Sequence, residues 1–354
     1  MTLIEKLENN RRLNYEDGLA LYELDLFTLG HYANMQRRQR YGDKAFFNIN
    51  RHINPTNICK DVCKFCAFSA HRKNPNPYMM SHDEILSILD NSVTNNHITE
   101  VHIVSAHNPD MGLQWYVELF SKIKERFPSL HIKALTAAEI NFLSESTQQS
   151  VDEIIDAMLL HGVDSMPGGG AEIFDETIRE SICKGKVKSH QWLEIHQKWH
   201  ERGKYSNATM LFGHVEKREH RIDHMLRIRD LQDKTGGFNA FIPLVYQREN
   251  NYLQVKDFLS STEILKTYAI SRLMLDNVNH IKAYWATSTL NLALVALEYG
   301  ADDLDGTIEV EAIQSAAGAS SAKGLGLQDF LDVIQTSGFR AVERDSLYRE
   351  IKIY

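Results

Sequence analysis

Apolar residues fall into two alternating patterns along the chain. Short runs rich in β-branched and aromatic residues recur eight times: FFNIN (46–50), VHIVSA (101–106), HIKALTA (131–137), VDSMPG (163–168), NATMLFG (207–213), NAFIPLV (239–245), IKAYWAT (281–287) and DLDGTI (303–308). Such runs predict buried strands. Between them, apolar residues recur at three- and four-residue spacing, the mark of a helix with one buried face. Helices are expected over 81–96, 113–127, 150–161, 172–202 in two pieces, 217–234, 262–277 and 289–299. Ser81 with Glu84, and Ser150 with Glu153, form the Ser-x-x-Glu pattern in which two side chains satisfy backbone N–H groups at a helix start. Gly162, Gly203 and Gly300 stand where helices should stop.

Eight strands alternating with helices predict a parallel α/β sheet, closed as a (β/α)8 TIM-type barrel. An open doubly wound sheet is the other arrangement of the same elements. Residues 1–45 read as a helical preface covering the barrel bottom, 46–308 as the barrel, and 309–354 as a closing segment with one more helix near 327–335. No linker separates them, so one domain is expected.

Composition narrows the classes. The chain has 354 residues, 43% of them apolar, and a net charge of −8. With only seven prolines and no low-complexity stretch, a long disordered tail is not expected. No uninterrupted apolar run suggests a signal peptide or membrane anchor, so a soluble, cytoplasmic protein is expected. The acidic balance, and the lack of a basic run with interleaved aromatics, speak against nucleic acid as a partner. QRRQRYGDK (36–44) and RKNPNP (72–77) read as solvated surface.

The chemistry concentrates in NPTNICKDVCKFCAFSAHR, residues 54–72. Three of the four cysteines, Cys59, Cys63 and Cys66, lie within eight positions just after the first strand. A barrel carries its active-site loops at that end of its strands. The polar neighbours Lys60, Asp61 and Lys64 speak for a loop. Three readings are open: structural thiols; a zinc site, with His71 as a fourth ligand because Cys183 is far along the chain; and an iron–sulfur cubane whose fourth iron lacks a protein ligand. An odd local count in a cytosolic chain speaks against disulfides. The cubane reading gives the missing fourth thiol a use, because an open iron can hold a substrate.

Cys-x-x-x-Cys-x-φ-Cys, with Phe65 before Cys66, resembles the signature of the radical S-adenosylmethionine enzymes. That resemblance implies a 4Fe–4S cluster on Cys59, Cys63 and Cys66. The methionine part of S-adenosylmethionine would chelate the open iron. A reducing donor such as flavodoxin or ferredoxin would supply the electron that cleaves the sulfonium to methionine and a 5′-deoxyadenosyl radical. The stretches NINRHINPTNIC, CKFCAFSAHR, SMPGGGAEIF and HERGKYSNATMLFGHVE extend the resemblance over about 45–330. They resemble the branch of that family found in the futalosine route to menaquinone and in deazaflavin synthesis. NPTNIC and HERG…GHVE tilt the reading towards members that add the adenosyl radical to the vinyl ether of 3-[(1-carboxyvinyl)oxy]benzoate. The adduct then rearranges and loses its carboxylate, giving 6-amino-6-deoxyfutalosine. Members of the branch that abstract hydrogen instead are the alternative. A non-catalytic iron–sulfur carrier or sensor is the rival of a different class.

The resemblance also implies site residues. Ser105-Ala106-His107-Asn108-Pro109 stands where many of these enzymes offer a glycine-rich backbone to the methionine amine; the side chains here depart from that form. Ser105 and His107, with Phe65, are the cofactor candidates in this region. Gly168, Gly169 and Gly170 would let backbone approach cofactor or substrate, and Glu172 would accept from ribose hydroxyls. His52, His71, His214 and Glu216 are candidates for proton transfer. Arg51, Arg72 and Arg248 are candidates for the substrate carboxylates, because a guanidinium fits a carboxylate bidentately. His196 and His200, spaced i,i+4 without an H-E-x-x-H motif, are expected at the surface or in packing. Trp115, Trp192, Trp199 and Trp285 are expected in the core or an interface, and Cys183 as structural or exposed.

Overall fold

The computed structural model describes residues 1–70, 75–308, 310, 312–319 and 325–354. His71 and Arg72 therefore lie outside the described residues.

The first stave of the sheet is two short strands, β1 (Lys44–Asn48) and β2 (Asn50–Ile53), divided at Ile49. It is followed by β3 (Glu100–Ile103), β4 (His131–Ala134), β5 (Ser206–Phe212), β6 (Phe238–Val245), β7 (His280–Ile281) and β8 (Asp303–Gly306). Pairing is parallel throughout this set. β2 pairs with β3, with Asn50 opposite Glu100, and β1 pairs with β8, with Phe46 opposite Asp303. The first stave thus joins the two ends of the sheet and closes the barrel, which removes the open doubly wound alternative. The stave expected at 163–168 is reduced to two bridges, Lys133–Ser165 and Met166–Ser206. Another bridge, Lys282–Asp303, carries β7 on to β8. The run at 281–287 is a strand only at its start, because Trp285–Ser288 turns into a short helix.

The outer helices carry the expected signals. Both Ser81–Glu84 and Ser150–Glu153 form reciprocal capping boxes. Gly162, Gly203 and Gly300 all have φ between +72° and +94°, a conformation that favours glycine. One helix, Ala137–Thr147, was not expected. Its first seven residues are all buried, so no polar face marks its period. Its local signal is Thr136-Ala-Ala-Glu139, a further capping box.

The ends of the chain differ from expectation. The preface forms helices Leu3–Glu8, Tyr15–Leu21 and Leu26–Tyr41. The second packs on helix Arg218–Thr235 and the third along helix Ser261–Met274, so the preface covers the barrel's flank more than its bottom. The basic stretch 36–44 is not simply solvated. Arg37 is fully buried and donates to the carbonyls of Gly42 (2.6 Å) and Lys44, fixing the turn into β1. Beyond the expected helix, here Leu327–Thr336, come two further strands, β9 (Arg340–Arg344) and β10 (Glu350–Ile353). β9 lies parallel to β1, with Ala341 opposite Ala45. β10 is exposed along its length, so no apolar alternation marked it. Among the described residues, no helix is long and apolar enough to cross a membrane.

Trp192, Trp199 and Trp285 are core residues and Trp115 is half-buried. His196 and His200 belong to packing, not to the surface: both rings meet Ser206 Oγ, at 2.8 and 2.7 Å. His224 stacks on Phe174 at 3.9 Å, and its Nε2 lies 2.9 Å from the Thr209 carbonyl. Burial pulls His200 down to about 4 and His224 down to about 3. Unfolding releases these rings to titrate near 6.5, so below that pH the unfolded chain binds protons the fold does not. Stability is therefore expected to fall as the pH drops from 7 to 5, by about 1.4 kcal/mol per pH unit for each histidine once its unfolded form is protonated. Urea midpoints measured across that range check this; a midpoint unchanged between pH 7 and 5 would contradict it.

Candidate active site

The carboxyl ends of the staves open on a cavity of about 300 Å³. The cysteine loop forms one wall. The NPTN segment that precedes it holds it in place. Asn54 Nδ2 donates to the Val104 carbonyl (2.8 Å), and Thr56 Oγ1 donates to that of Tyr78 (2.7 Å). The Asn57 amide bridges the Asn76 carbonyl (3.0 Å) and the Tyr78 N–H (2.9 Å). Further on, Lys60 N–H donates to the His107 carbonyl (3.0 Å) and Lys64 N–H to that of Ile182 (2.8 Å). These bonds fix a loop that has no regular secondary structure of its own.

Cys59, Cys63 and Cys66 are free, half-buried thiols, and all three line the cavity. Burial pushes the Cys59 thiol up and Cys63 well up, and the Cys66 charge repels both, while Lys186 pulls Cys63 the other way. Three soft ligands on one cavity wall fit a cationic multi-iron cluster. Cys183 is buried and does not line the cavity, which leaves the trio without a fourth thiol there. Phe65 lines the cavity with Lys186 Nζ 5.6 Å from its ring centre.

His107 and Asp61 form a pair that sequence reasoning only half found. His107 Nδ1 lies 2.8 Å from Asp61 Oδ2, and the imidazole stacks on Phe142, ring centres 5.0 Å apart. Asp61 sits between the first two cysteines, so this pair and the Lys60–His107 bond tie the loop to the end of the next stave. Ser105 N–H donates to Glu139 Oε1 (2.7 Å), while Glu139 Oε2 accepts from Thr136 N–H (2.7 Å). Ser105 borders the cavity, but its hydroxyl is buried beside the Tyr116 hydroxyl.

Gly168, Gly169 and Gly170 line the cavity as expected, but their missing side chains serve the chain's own packing. A Cβ on Gly168 would stand 2.6 Å from the Asn207 carbonyl oxygen, and one on Gly170 2.7 Å from Ala138 Cβ. Glu172 is buried at φ +48° and accepts from Lys186 Nζ at 2.7 Å.

His214 and Glu216 stay out of the cavity. The Glu216 carboxylate accepts from the N–H groups of Gly213 (2.7 Å) and His214 (2.8 Å) and from Arg221 (2.7 Å). It braces the loop after β5 instead of facing a ligand. The His214 Nε2 lies 3.0 Å from the Leu211 carbonyl. Arg248 also points elsewhere, donating to the carbonyls of Val255 (2.7 Å) and Lys256 (2.9 Å). Arg51 is one residue from His52, which lines the cavity; alternation along the strand turns Arg51 to the other face.

The floor of the cavity carries the charges that were missed. His52, His102 and Lys133 lie side by side in register across β2, β3 and β4. Lys133 Nζ donates to Glu100 Oε2 at 2.6 Å, and Lys282 Nζ donates to Asp305 Oδ1. All four charged groups are buried. Desolvation pulls both histidines down, so both are neutral at pH 7. Their rings meet edge to face at 4.7 Å, and His102 Nε2 is buried without a partner among the described residues. A sequence signal existed: NRH, EVH and HIK place polar residues on alternate positions of strands otherwise read as core.

Residues 53–228 match the Radical SAM superfamily, and residues 235–353 match the CofH/MqnC C-terminal region. The chain is 41% identical over 357 residues to an aminodeoxyfutalosine synthase of Thermus thermophilus, covering 99% of this chain and 96% of that protein. It is 36% identical over 357 residues to a cyclic dehypoxanthine futalosine synthase of Streptomyces coelicolor, covering 99% and 89%. Among solved structures, methylornithine synthase superposes with a TM-score of 0.74 over 96% of both chains, at 17% identity. With cysteine loop, barrel and full-length similarity in agreement, the chain belongs to the radical SAM superfamily.

Proposed function

We propose that the protein joins the 5′-deoxyadenosyl group of S-adenosylmethionine to 3-[(1-carboxyvinyl)oxy]benzoate, forming 6-amino-6-deoxyfutalosine for menaquinone synthesis. The observation that carries this reading is a cavity with three free thiols on one wall and two buried lysines at its floor, in a chain 41% identical to an aminodeoxyfutalosine synthase. The bound 4Fe–4S cluster and S-adenosylmethionine supply the 5′-deoxyadenosyl radical by one-electron cleavage of the sulfonium.

The chain's own residues do the rest. Cys59, Cys63 and Cys66 hold the cluster. Glu172, at the cavity wall, would accept from the ribose hydroxyls. Lys133 and Lys282 meet the two carboxylates of the enol ether, in place of the arginines expected from sequence. Each lysine already has a carboxylate partner, so a substrate carboxylate shares an ammonium that has three donors. The enclosing staves exclude water and competing hydrogen donors while the radical meets the double bond. We assign the reaction to the cytoplasm, whose thiols stay reduced, with a low-potential protein as electron donor.

The match to the CofH/MqnC C-terminal region, with the 36% identity to a cyclase, favours a second reading in which the radical abstracts hydrogen. Mass spectrometry of an anaerobic assay with cluster-loaded protein, a strong reductant, S-adenosylmethionine and the enol ether separates the two. A product carrying both adenosyl and benzoate is expected; stoichiometric 5′-deoxyadenosine with unchanged benzoate would favour the second. Lys282→Gln is expected to raise the KM for the enol ether by roughly tenfold or more, the effect of losing one charged hydrogen bond. An unchanged KM would remove Lys282 from substrate binding. Replacing all three cluster cysteines by alanine should abolish bound iron and turnover together. His107→Ala, which keeps the thiols but frees Asp61, is expected to bind less than half the iron of the unaltered protein in a colorimetric iron assay.

A further inference from the structure

The turn between β9 and β10, residues 345–349, sends Ser346 and Tyr348 inward while Leu347 and Arg349 stay exposed. The Asp345 carboxylate shapes it, accepting from the N–H groups of Leu347 (2.9 Å) and Arg349 (2.9 Å). Tyr348 takes φ +63°, a conformation that a bulky residue adopts only under constraint. Its ring stacks on His280, centres 3.6 Å apart, and the Arg344 guanidinium lies 4.3 Å from the ring centre. These contacts hold the turn against the amino end of the barrel.

Ser346 is buried and reaches the floor of the cavity from below. Its carbonyl accepts from Asn239 Nδ2 (3.1 Å), and its hydroxyl donates to Glu100 Oε2. Asn239 and Glu100 stand at the amino ends of β6 and β3, the end of the barrel opposite the cysteine loop. The same Glu100 oxygen accepts from Lys133 Nζ at 2.6 Å, and Glu100 and Lys133 both line the cavity. Ser346 is not one of the lining residues, so it meets the cavity only through the carboxylate. A hydrogen bond to a carboxylate stabilises its charged form, so an anion that already holds a hydroxyl leans less on its cation.

We propose that Ser346 is a positioning residue for substrate binding. By taking a share of Glu100 Oε2, it fixes the place of the Lys133 ammonium and leaves the other donors of that ammonium to the substrate carboxylate. Ser346 itself touches neither substrate nor cofactor. The β9–β10 turn is then part of the binding site, acting from the far side of the barrel floor. The inference rests on the reading above that Lys133 meets a carboxylate of the enol ether.

The test compares Ser346→Ala, Lys133→Gln and the double variant with the unaltered protein, each loaded with its cluster. Ser346→Ala is expected to raise the KM for the enol ether on the order of three- to tenfold, the effect of one hydrogen bond to a charged group. The kcat and the KM for S-adenosylmethionine should not change. On the Lys133→Gln background, Ser346→Ala should raise the KM no further, because both substitutions act on one contact. Additive effects there would show that Ser346 does not act through Lys133 and would overturn the proposal. A second readout needs no substrate: the rate at which acetic anhydride acetylates Lys133 at fixed pH, followed by mass spectrometry. An ammonium gripped by Glu100 alone gives up its proton less readily, so labelling in Ser346→Ala should be slower by roughly threefold or more. Equal KM and equal labelling in the unaltered and Ser346→Ala proteins would likewise overturn it. If Lys133→Gln leaves the KM unchanged, the substrate reading of Lys133 fails, and the labelling rate alone decides whether Ser346 governs that lysine.

Discussion

Lys133 paired with Glu100, and Lys282 with Asp305, set the terms for the barrel. A charge taken out of water costs several kcal/mol unless a partner and hydrogen bonds compensate it. Four such groups line the interior of this barrel, each supplied by the end of a stave or the residue beside one. Their compensation depends on register. A slip of one residue in β3 or β4 would turn Glu100 or Lys133 to the outside and leave its partner buried alone. The ion pairs therefore act less as glue than as a condition that only the observed alignment meets. What they leave is a polar, partly hollow interior, in contrast to the branched apolar layers that usually fill such barrels.

The same logic extends upward to the loop that carries the cysteines. It owes its shape to fixed partners: amides of Asn54 and Asn57 below, the His107 carbonyl on one side, that of Ile182 on the other. Because these partners sit on different staves or their following loops, the placement of three thiols reports on the closure of the whole ring. The division of labour is clear in the acids. Glu139 and Glu216 spend their oxygens on backbone N–H groups and brace the scaffold, while Asp61 and Glu172 lie at the cavity with a cation or imidazole beside them.

Much of this was legible from the chain because local signals agree with the fold. The capping boxes at Ser81 and Ser150, the helix-ending glycines and most of the apolar runs sit where the sequence placed them, though the run at 163–168 keeps only two bridges and that at 281–287 is a strand only at its start, and the cysteine spacing pointed to its chemistry through its resemblance to a known signature. The misses share a cause. Helix Ala137–Thr147 and strand β10 are uniform in burial, one inside and one outside, so neither shows a period. The arginine candidates were chosen for charge and nearness in sequence to the cysteine loop, but strand alternation turns Arg51 away and nearby carbonyls occupy Arg248. Lys133 and Lys282 were passed over because a lysine inside an apolar run reads as noise until its partner, about thirty or twenty residues distant, is seen across the barrel.

The seating of β9 beside β1 bears on how the molecule comes into being. Arg344 is buried with its Nε 2.6 Å from Asp303, whose own strand closes the ring. A chain emerging from the ribosome exposes its first stave long before Arg344. Until then Asp303 has no guanidinium to meet, and β1 lacks one of its two neighbours. The barrel is therefore locked only once β9 has emerged and seated, and a nascent chain stalled before that strand leaves a barrel that can be threaded but not locked.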